Sequence, residues 1–127
     1  MATQSSTYGP AYGAGACVDG NRAAGLCQTN SEPNPWWQVD LGGSYALSEI
    51  VVYNRADQWG ARERDIRALV STDGRIWTPI YLHDQSDFQI LRIDAVGRTA
   101  RYVRLQLDAT DYLNLVEVEV YGAVVKK

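Results

Sequence analysis

The sequence of 127 residues is poor in several groups on which catalysis and nucleic-acid binding depend. It contains one histidine, His83, and two cysteines, Cys17 and Cys27. Its formal net charge is -3. A negative net charge gives no electrostatic footprint for nucleic acid, so that class of partner is not expected. No apolar run approaches the length of about 18 residues that spans a bilayer, and membrane insertion is not expected either.

Recognisable catalytic motifs are also missing. The spacing of Cys17 and Cys27 matches neither a thioredoxin-like pair nor a zinc pair, and a catalytic Cys–His pair with His83 has no support. No Ser–His–Asp motif, phosphate loop or zinc motif is visible. The fifteen acidic residues include no recognisable pair of the kind a glycosidase places about 5–9.5 Å apart. The sequence therefore predicts a protein that is not an enzyme.

Short segments with alternating polarity are abundant and predict β-strands. In 102–107 the residues Val103, Leu105 and Leu107 share one face. In 116–121 the valines share one face and the polar residues share the other: Val116, Val118 and Val120 against Glu117, Glu119 and Tyr121.

Further strand-length segments lie at 47–54, 66–71 and 88–93. The first is continuously apolar, which is typical of a central strand covered on both faces. Asp73-Gly74 predicts a tight hairpin turn, and no segment shows a convincing helical period with caps. We therefore predict one all-β domain over 1–127, an antiparallel β-sandwich or jelly-roll barrel with long binding loops at one end.

Residues 8–35 and 54–65 form long irregular segments, which in compact domains are usually functional or disordered. The second contains the stretch NRADQWGAR, in which Arg55 and Arg62 flank Asp57. Two guanidinium groups on one loop are either solvated surface charges or donors aimed at a ligand. The two cysteines similarly leave two alternatives open, a disulfide or a pair of buried thiols.

Four sequence blocks carry a family resemblance. The block NPWWQVDLG (34–42) resembles the discoidin-like, or coagulation-factor C-type, jelly rolls, in which Trp36 and Trp37 are core and loop-packing residues. Together with VDGN (18–21), VVYNRADQWGAR (51–62) and LVEVEVYG (115–122), it is similar to the F-type lectins, the fucose-binding branch. The spacing of Arg55, Asp57 and Arg62 is the specific part of this resemblance.

The resemblance implies a sugar site on these loops. In F-type lectins a histidine and two arginines bind the sugar, and the histidine position falls on Gln28 in this sequence. Arg55 and Arg62 would then donate to sugar oxygens while Asp57 orients both. Trp59 takes the place of a flat disulfide that packs on the sugar in the family. Tyr8 or Tyr12 would offer further apolar contact, whereas the simpler alternatives are a loop amide for Gln28 and a partly buried plug for Trp59.

The resemblance also implies a structural calcium ion. Its ligands would come from Asp19 and Asn21 in the VDGN turn and from Glu117 in the last strand, since calcium takes oxygen ligands at irregular spacings. The alternatives are a simple turn and the polar face of a strand. The resemblance favours a Cys17–Cys27 disulfide and a secreted, extracellular protein. The chain would then be a domain of a longer precursor, with an added Met at its start.

The function implied is binding of terminal α-L-fucose on glycans without catalysis. A single shallow site binds weakly, so a homo-oligomer or a tandem-domain arrangement would supply avidity. The alternative is an accessory module for galactose or another sugar, cut from a glycan-degrading enzyme. Adhesion to phospholipid or protein is less favoured, because the only lysines are Lys126 and Lys127 and the net charge is negative.

Overall fold

The computed structural model of the chain describes residues 1–22, 25–55 and 57–125, and of Gln58 and Trp59 it describes the backbone. The strands are antiparallel, and they run as follows: β1 Ala2–Gln4, β2 Cys27–Gln28, β3 Glu32–Pro33, β4 Trp36–Tyr53, β5 Ile66–Ser71, β6 Thr78–Leu82, β7 Ile90–Asp94, β8 Thr99–Leu107, β9 Thr110–Asp111, β10 Asn114–Leu115 and β11 Glu117–Val124. Three 3₁₀ helices cover Pro10–Tyr12, Ala14–Cys17 and Gln58–Asp65.

The long strand β4 connects two layers of a sandwich. Its first part pairs with β1 and β8, and β5 and β6 extend this layer beyond β8. Its last part, 49–53, lies between β7 and β11. The register with β8 shifts between Asp40 and Tyr45, and Gly42 adopts a φ of +85° at this bend, where a side chain would be strained. Within the described residues, the sheet runs from β1 to β6 without closing into a barrel.

One hydrophobic core fills the space between the layers. Trp37 and Val103 contribute from one layer, and Ile50 and Val118 contribute from the other. Because side chains alternate along a strand, Val103, Leu105 and Leu107 all face this core, as the sequence predicts. The all-β sandwich is thereby confirmed.

Local predictions had mixed outcomes. The strand at 66–71 is confirmed residue for residue, whereas the strand predicted at 88–93 covers Ile90–Asp94. Asp73 and Gly74 do lie between paired strands, but the connection spans 72–77, so the tight two-residue turn is wrong. The Asp73 carboxylate instead organises a wider loop by accepting from the backbone N–H of Arg75 and Ile76 at 2.8 and 3.0 Å.

The N-terminal segment is closed by a disulfide and is hydrogen-bonded to the sandwich. Cys17 and Cys27 form a disulfide, and both are buried. The indole Nε1 of Trp37 donates to the carbonyl of Ala14 at 3.0 Å, which anchors the loop to a core residue. These ties hold Tyr8, Tyr12 and Gln28 against the end of the sandwich where β4 leads into Arg55.

Candidate functional site

The two segments predicted to be irregular, 8–35 and 54–65, meet at one cavity, although the 3₁₀ helix Gln58–Asp65 occupies most of the second. The cavity has a volume of about 290 Å³, and its lining comes from both segments and from the 108–113 region: Tyr8, Tyr12, Gln28, Arg55, Arg62 and Tyr112. Both arginines of the NRADQWGAR stretch therefore reach the same concave surface. A cavity of this size and polarity suits a small polar ligand such as one sugar ring.

The loop that carries the arginines is fixed by Asn54 and Gly60. The buried amide of Asn54 accepts from the Arg55 backbone N–H at 2.9 Å and donates to the carbonyls of Gly60 and Phe88 at 2.8 and 3.1 Å. A Cβ atom at Gly60 would lie 2.7 Å from the Arg55 carbonyl oxygen, which no side chain tolerates. Glycine is thus required where the loop closes on itself.

Each arginine of the site has its own carboxylate. Arg55 binds Asp57 in a bidentate ion pair, with Nε–Oδ1 and Nη2–Oδ2 distances of 2.7 and 2.6 Å. The Nε of Arg62 lies 3.6 Å from the carboxylate of Asp111, and its guanidinium covers the ring of Tyr112 at 4.6 Å. The sequence-based expectation gave Asp57 the task of orienting both arginines, and the orientation of Arg55 is the part that this geometry supports.

Aromatic rings form the apolar side of the cavity. Tyr8 packs edge-on against Tyr12 and Tyr112, with ring centroids 5.4 and 5.7 Å apart. The sequence indicated Tyr8 and Tyr12 but missed Tyr112, because nothing in the stretch DATDYLNL shows that it returns to the N-terminal loop. The side chain of Trp59 lies outside the described residues, so its contact with a ligand stays a prediction.

Gln28 is buried at the base of the cavity. Its backbone carbonyl accepts from the Tyr8 backbone N–H at 2.9 Å and from the Gln4 side chain at 3.2 Å. Its Cα lies opposite that of Asn114 in the β2–β10 pair. These bonds fix the backbone of Gln28 and leave its carboxamide as a lining group of the cavity.

Arg55 also lines a second cavity on its other side. This cavity has a volume of about 350 Å³, and Asp57, Asp87, Phe88 and Gln89 contribute to its wall. Arg55 is the residue that the two cavities share.

The VDGN turn and the last strand meet as the calcium prediction requires. The Gly20 N–H donates to Glu117 Oε2 at 2.8 Å, and the Asn21 N–H donates to Asp19 Oδ1 at 2.9 Å. Glu117 is only 3% exposed, so the alternative in which it lies on the polar face of the strand does not hold. The N-terminal loop covers this end of β11, which alternation along the strand does not reveal.

The surroundings of Glu117 fit a cation. Its Oε1 atom is buried without a hydrogen-bond partner among the described groups. Burial raises the pKa of Glu117, and the neighbouring carboxylates of Asp19 and Glu119 raise it further. In the part of the chain that the structure describes, no three His, Cys, Asp or Glu side chains are arranged so that they could hold a metal ion by themselves, so carbonyl oxygens would have to complete a calcium site.

Comparison with known proteins agrees with this geometry. Residues 16–105 match the family described as NedA-like, galactose-binding domain. Fucolectin-5 of Anguilla japonica is 33% identical over 124 residues, a match that covers 84% of this chain and 62% of that protein. Fucolectin of Anguilla anguilla is 30% identical over 122 residues, covering 81% of this chain and 72% of that protein.

Solved structures show the same fold. The fucolectin from serum of the striped bass, Morone saxatilis, has a TM-score of 0.90 at 27% identity, covering 99% of this chain and 46% of that one. The lectin domain of Lectinolysin, crystallised with Lewis B antigen, has a TM-score of 0.88 at 28% identity, covering 98% of this chain and 93% of that one.

The sandwich and the match over 16–105 define a discoidin-like, galactose-binding type of domain. The chain belongs to the F-type lectin, or fucolectin-like, family of these domains. It spans less than two thirds of the length of Fucolectin-5 and less than half of the striped bass protein. No helix in the described ranges is both long and apolar enough to cross a membrane.

Proposed function

We propose that the chain is a non-catalytic lectin that binds terminal α-L-fucose in the cavity between Arg55 and Arg62. The observation that carries this proposal is that both arginines and Gln28 line one cavity of about 290 Å³ in a chain of the fucolectin-like family. The sugar offers neutral hydroxyl and ring oxygens as acceptors. Guanidinium groups donate to such oxygens through short, charge-assisted hydrogen bonds.

The cavity has complementary parts for a deoxyhexose. The arginine side supplies donors, and the carboxamide of Gln28 supplies two donors and one acceptor oxygen. The Tyr8, Tyr12 and Tyr112 rings supply apolar surface for the methyl group and the C–H face of the sugar. Asp57 holds Arg55 in its bidentate orientation, so less side-chain entropy is lost when the sugar binds.

A structural calcium ion belongs to the same proposal. Asp19, Asn21 and Glu117 would hold it, and its charge would offset that of the buried Glu117 carboxylate. Its effect on the sugar site is indirect, because it stabilises the loop that leads through Cys27 to Gln28. We also propose an extracellular location, since disulfides such as Cys17–Cys27 persist in oxidising environments. Avidity for fucosylated surfaces would come from oligomers or tandem domains.

A second candidate function is binding of galactose or another neutral sugar. Two observations favour it: Gln28 occupies the position of the family histidine, and the matched family is described as galactose-binding. An amide has a different reach from an imidazole and cannot become charged, so the preferred hydroxyl pattern can differ.

Calorimetric titration with L-fucose and D-galactose, read with a glycan array, tests the proposal. We expect L-fucose and fucosylated glycans to bind, and Arg55→Ala or Arg62→Ala to reduce affinity by about 100-fold or more. Each substitution removes two charge-assisted hydrogen bonds, each worth roughly 1.5–3 kcal/mol, and leaves a carboxylate without its cation. The matched control is Arg64→Ala, because Arg64 lies on the same 3₁₀ helix but pairs with Asp87.

The control variant should bind L-fucose as the unchanged protein does. Normal binding by Arg55→Ala or Arg62→Ala would show that the sugar lies elsewhere. Binding of galactose alone would select the second candidate. A chromogenic fucoside should show no turnover, and turnover above that of a boiled sample would contradict the assignment as a lectin.

A further inference from the structure

Glu63 is a fully buried acid directly beside the proposed sugar site. It follows Arg62 on the 3₁₀ helix Gln58–Asp65 and has no exposed surface. Its Oε1 atom accepts from the Asn114 backbone N–H at 2.7 Å. Its Oε2 atom is buried and has no hydrogen-bond partner among the described residues. A carboxyl group is costly to bury, so this position needs a reason that packing alone does not give.

Asn114 connects Glu63 to the sugar site. With its side-chain amide oriented so that both ends have partners, Nδ2 donates to Glu63 Oε1 at 2.9 Å and Oδ1 accepts from Arg62 Nη1 at 3.3 Å. The backbone of Asn114 lies opposite Gln28 in the β2–β10 pair. One carboxyl oxygen therefore holds both the strand beside Gln28 and the amide that contacts Arg62.

Burial favours the neutral form of the Glu63 carboxyl group. Burial is the main cause that raises its pKa well above the ordinary value, and the nearby charge of Asp111 adds to it. The Asn114 N–H and the charges of Arg62 and Arg55 act in the opposite direction without restoring an ordinary pKa. A neutral acid matters here because a charged one would draw Arg62 toward itself and away from a neutral sugar.

We propose that Glu63 is a positioning residue that acts through Asn114 to set Arg62 at the correct distance from Gln28. In this role the carboxyl group stays uncharged, so that it accepts from Asn114 without competing for the Arg62 charge. This inference rests on the proposed function, since it concerns the same sugar site. Glu63 does not touch the sugar itself. It joins the two segments that supply the sugar-binding groups, and it orients the Asn114 amide that the Arg62 guanidinium contacts.

Two substitutions test whether Glu63 acts as a hydrogen-bond acceptor, as a negative charge or only as a side chain that fills space. Glu63→Gln keeps an oxygen acceptor without a charge, and its dissociation constant for L-fucose should stay within about twofold of the unchanged protein. Glu63→Leu keeps the bulk but removes the acceptor, and binding should weaken about tenfold, the equivalent of one lost hydrogen bond. Glu49→Gln is the control, because Glu49 pairs with Arg92 and does not line the sugar cavity.

The outcomes are distinct. A folded Glu63→Leu that binds L-fucose normally, or a Glu63→Gln that loses tenfold in affinity, would overturn the inference while the proposed function stands. Failure of the unchanged protein to bind L-fucose would overturn the proposed function and this inference together.

Glu63→Leu can fail to fold, because it leaves the buried Asn114 N–H without an acceptor. In that case, carbon-13 NMR of the side-chain carboxyl groups in the unchanged protein tests whether Glu63 is protonated. The Glu63 signal is assigned by its loss in Glu63→Gln. The signal should have the position of a protonated acid at pH 7 and with L-fucose bound. An ionised signal under these conditions would overturn the inference.

Discussion

Two buried glutamates, Glu63 and Glu117, lie in contrasting parts of the molecule. Each accepts one backbone N–H through one oxygen and has a second oxygen without a partner among the described residues. Glu63 lies near Arg62 and Arg55 and near one acid, Asp111, whereas both charged groups that act on Glu117 are acids, Asp19 and Glu119. The same residue type is therefore buried once among charges of both signs and once next to other acids.

The difference shows two ways of accommodating a buried acid. Beside the arginines, a proton on Glu63 leaves the guanidinium groups available for an outside ligand. In the acidic corner, a proton would relieve Glu117 but not the repulsion between its neighbours, whereas a divalent cation relieves both. We expect a proton at Glu63 and a calcium ion at Glu117.

Removal of calcium should give the largest change in stability. A cation present at about 100 times its dissociation constant stabilises the folded state by about 2.7 kcal/mol. For a domain of this size the melting temperature should then fall by about 8–14 °C in excess chelator. Thermal unfolding followed by circular dichroism, with and without calcium, measures this shift. Identical melting curves would rule out a calcium ion at this corner.

Neutralising Glu117 and neutralising Glu63 should change the melting temperature in opposite directions. In calcium, Glu117→Gln should lower the melting temperature, because it removes a charged ligand of the ion. Glu63→Gln should instead raise it at pH 7, since the amide is neutral without binding a proton. Parallel thermal scans of both variants provide the test. If both melting temperatures shift in the same direction in calcium, the two acids are not accommodated in different ways.

The pH dependence of Glu63→Gln has a definite sign. Folding raises the pKa of Glu63 above its ordinary value of 4.5, so its contribution to stability is complete below that pH and is lost as the pH rises toward the folded pKa. The advantage of Glu63→Gln should therefore be absent near pH 4 and should grow as the pH rises to 7. Urea unfolding at several pH values measures it, and an advantage that shrinks with rising pH would show that Glu63 is ionised in the fold.

Calcium affinity should rise with pH. Glu117 must lose its proton to bind the ion, and burial raises its pKa, so binding should release protons on the acidic side of neutrality. Calorimetry of calcium binding in buffers of different ionisation enthalpy detects this release. Glu117→Gln should abolish it, while Glu63→Gln should leave it unchanged.

Much of the fold could be predicted because strands repeat simple patterns. The alternation through Val103, Leu105 and Leu107 and the apolar run ending at Tyr53 determine which faces are buried. The same rule failed at Glu117, because the cover over that face comes from a loop about a hundred residues earlier in the chain.

The site could be predicted only in part. Arg55, Arg62 and Asp57 occupy a recognisable spacing, so they were identified from the sequence. Glu63 lies in the charged run ARERD, which has the composition of a solvated surface, and its burial depends on β10 packing against the 3₁₀ helix. Tyr112 has no local signal for the same reason: its partners Tyr8 and Arg62 come from distant segments.

Among the substitutions in the arginine loop, Asp57→Asn should have the smallest effect. This change removes the charge that holds Arg55 but keeps an oxygen acceptor, so we expect about a threefold to tenfold loss of affinity for L-fucose. The melting temperature should change little, because Asp57 is exposed. Calorimetry of this variant beside Arg55→Ala separates orientation of the arginine from donation by it. An effect as large as that of Arg55→Ala would mean that Asp57 contacts the sugar directly.

Strand β4 begins shortly after Gln28 and ends two residues before Arg55, and it bends at Gly42 and Gly43. The two segments that supply the proposed site are thus joined by a single strand, and the middle of that strand does not line the cavity. That midpoint is a natural place to insert a tether or a fluorophore. Copies of the domain attached to a bead or a scaffold through it would all present their open cavities outward.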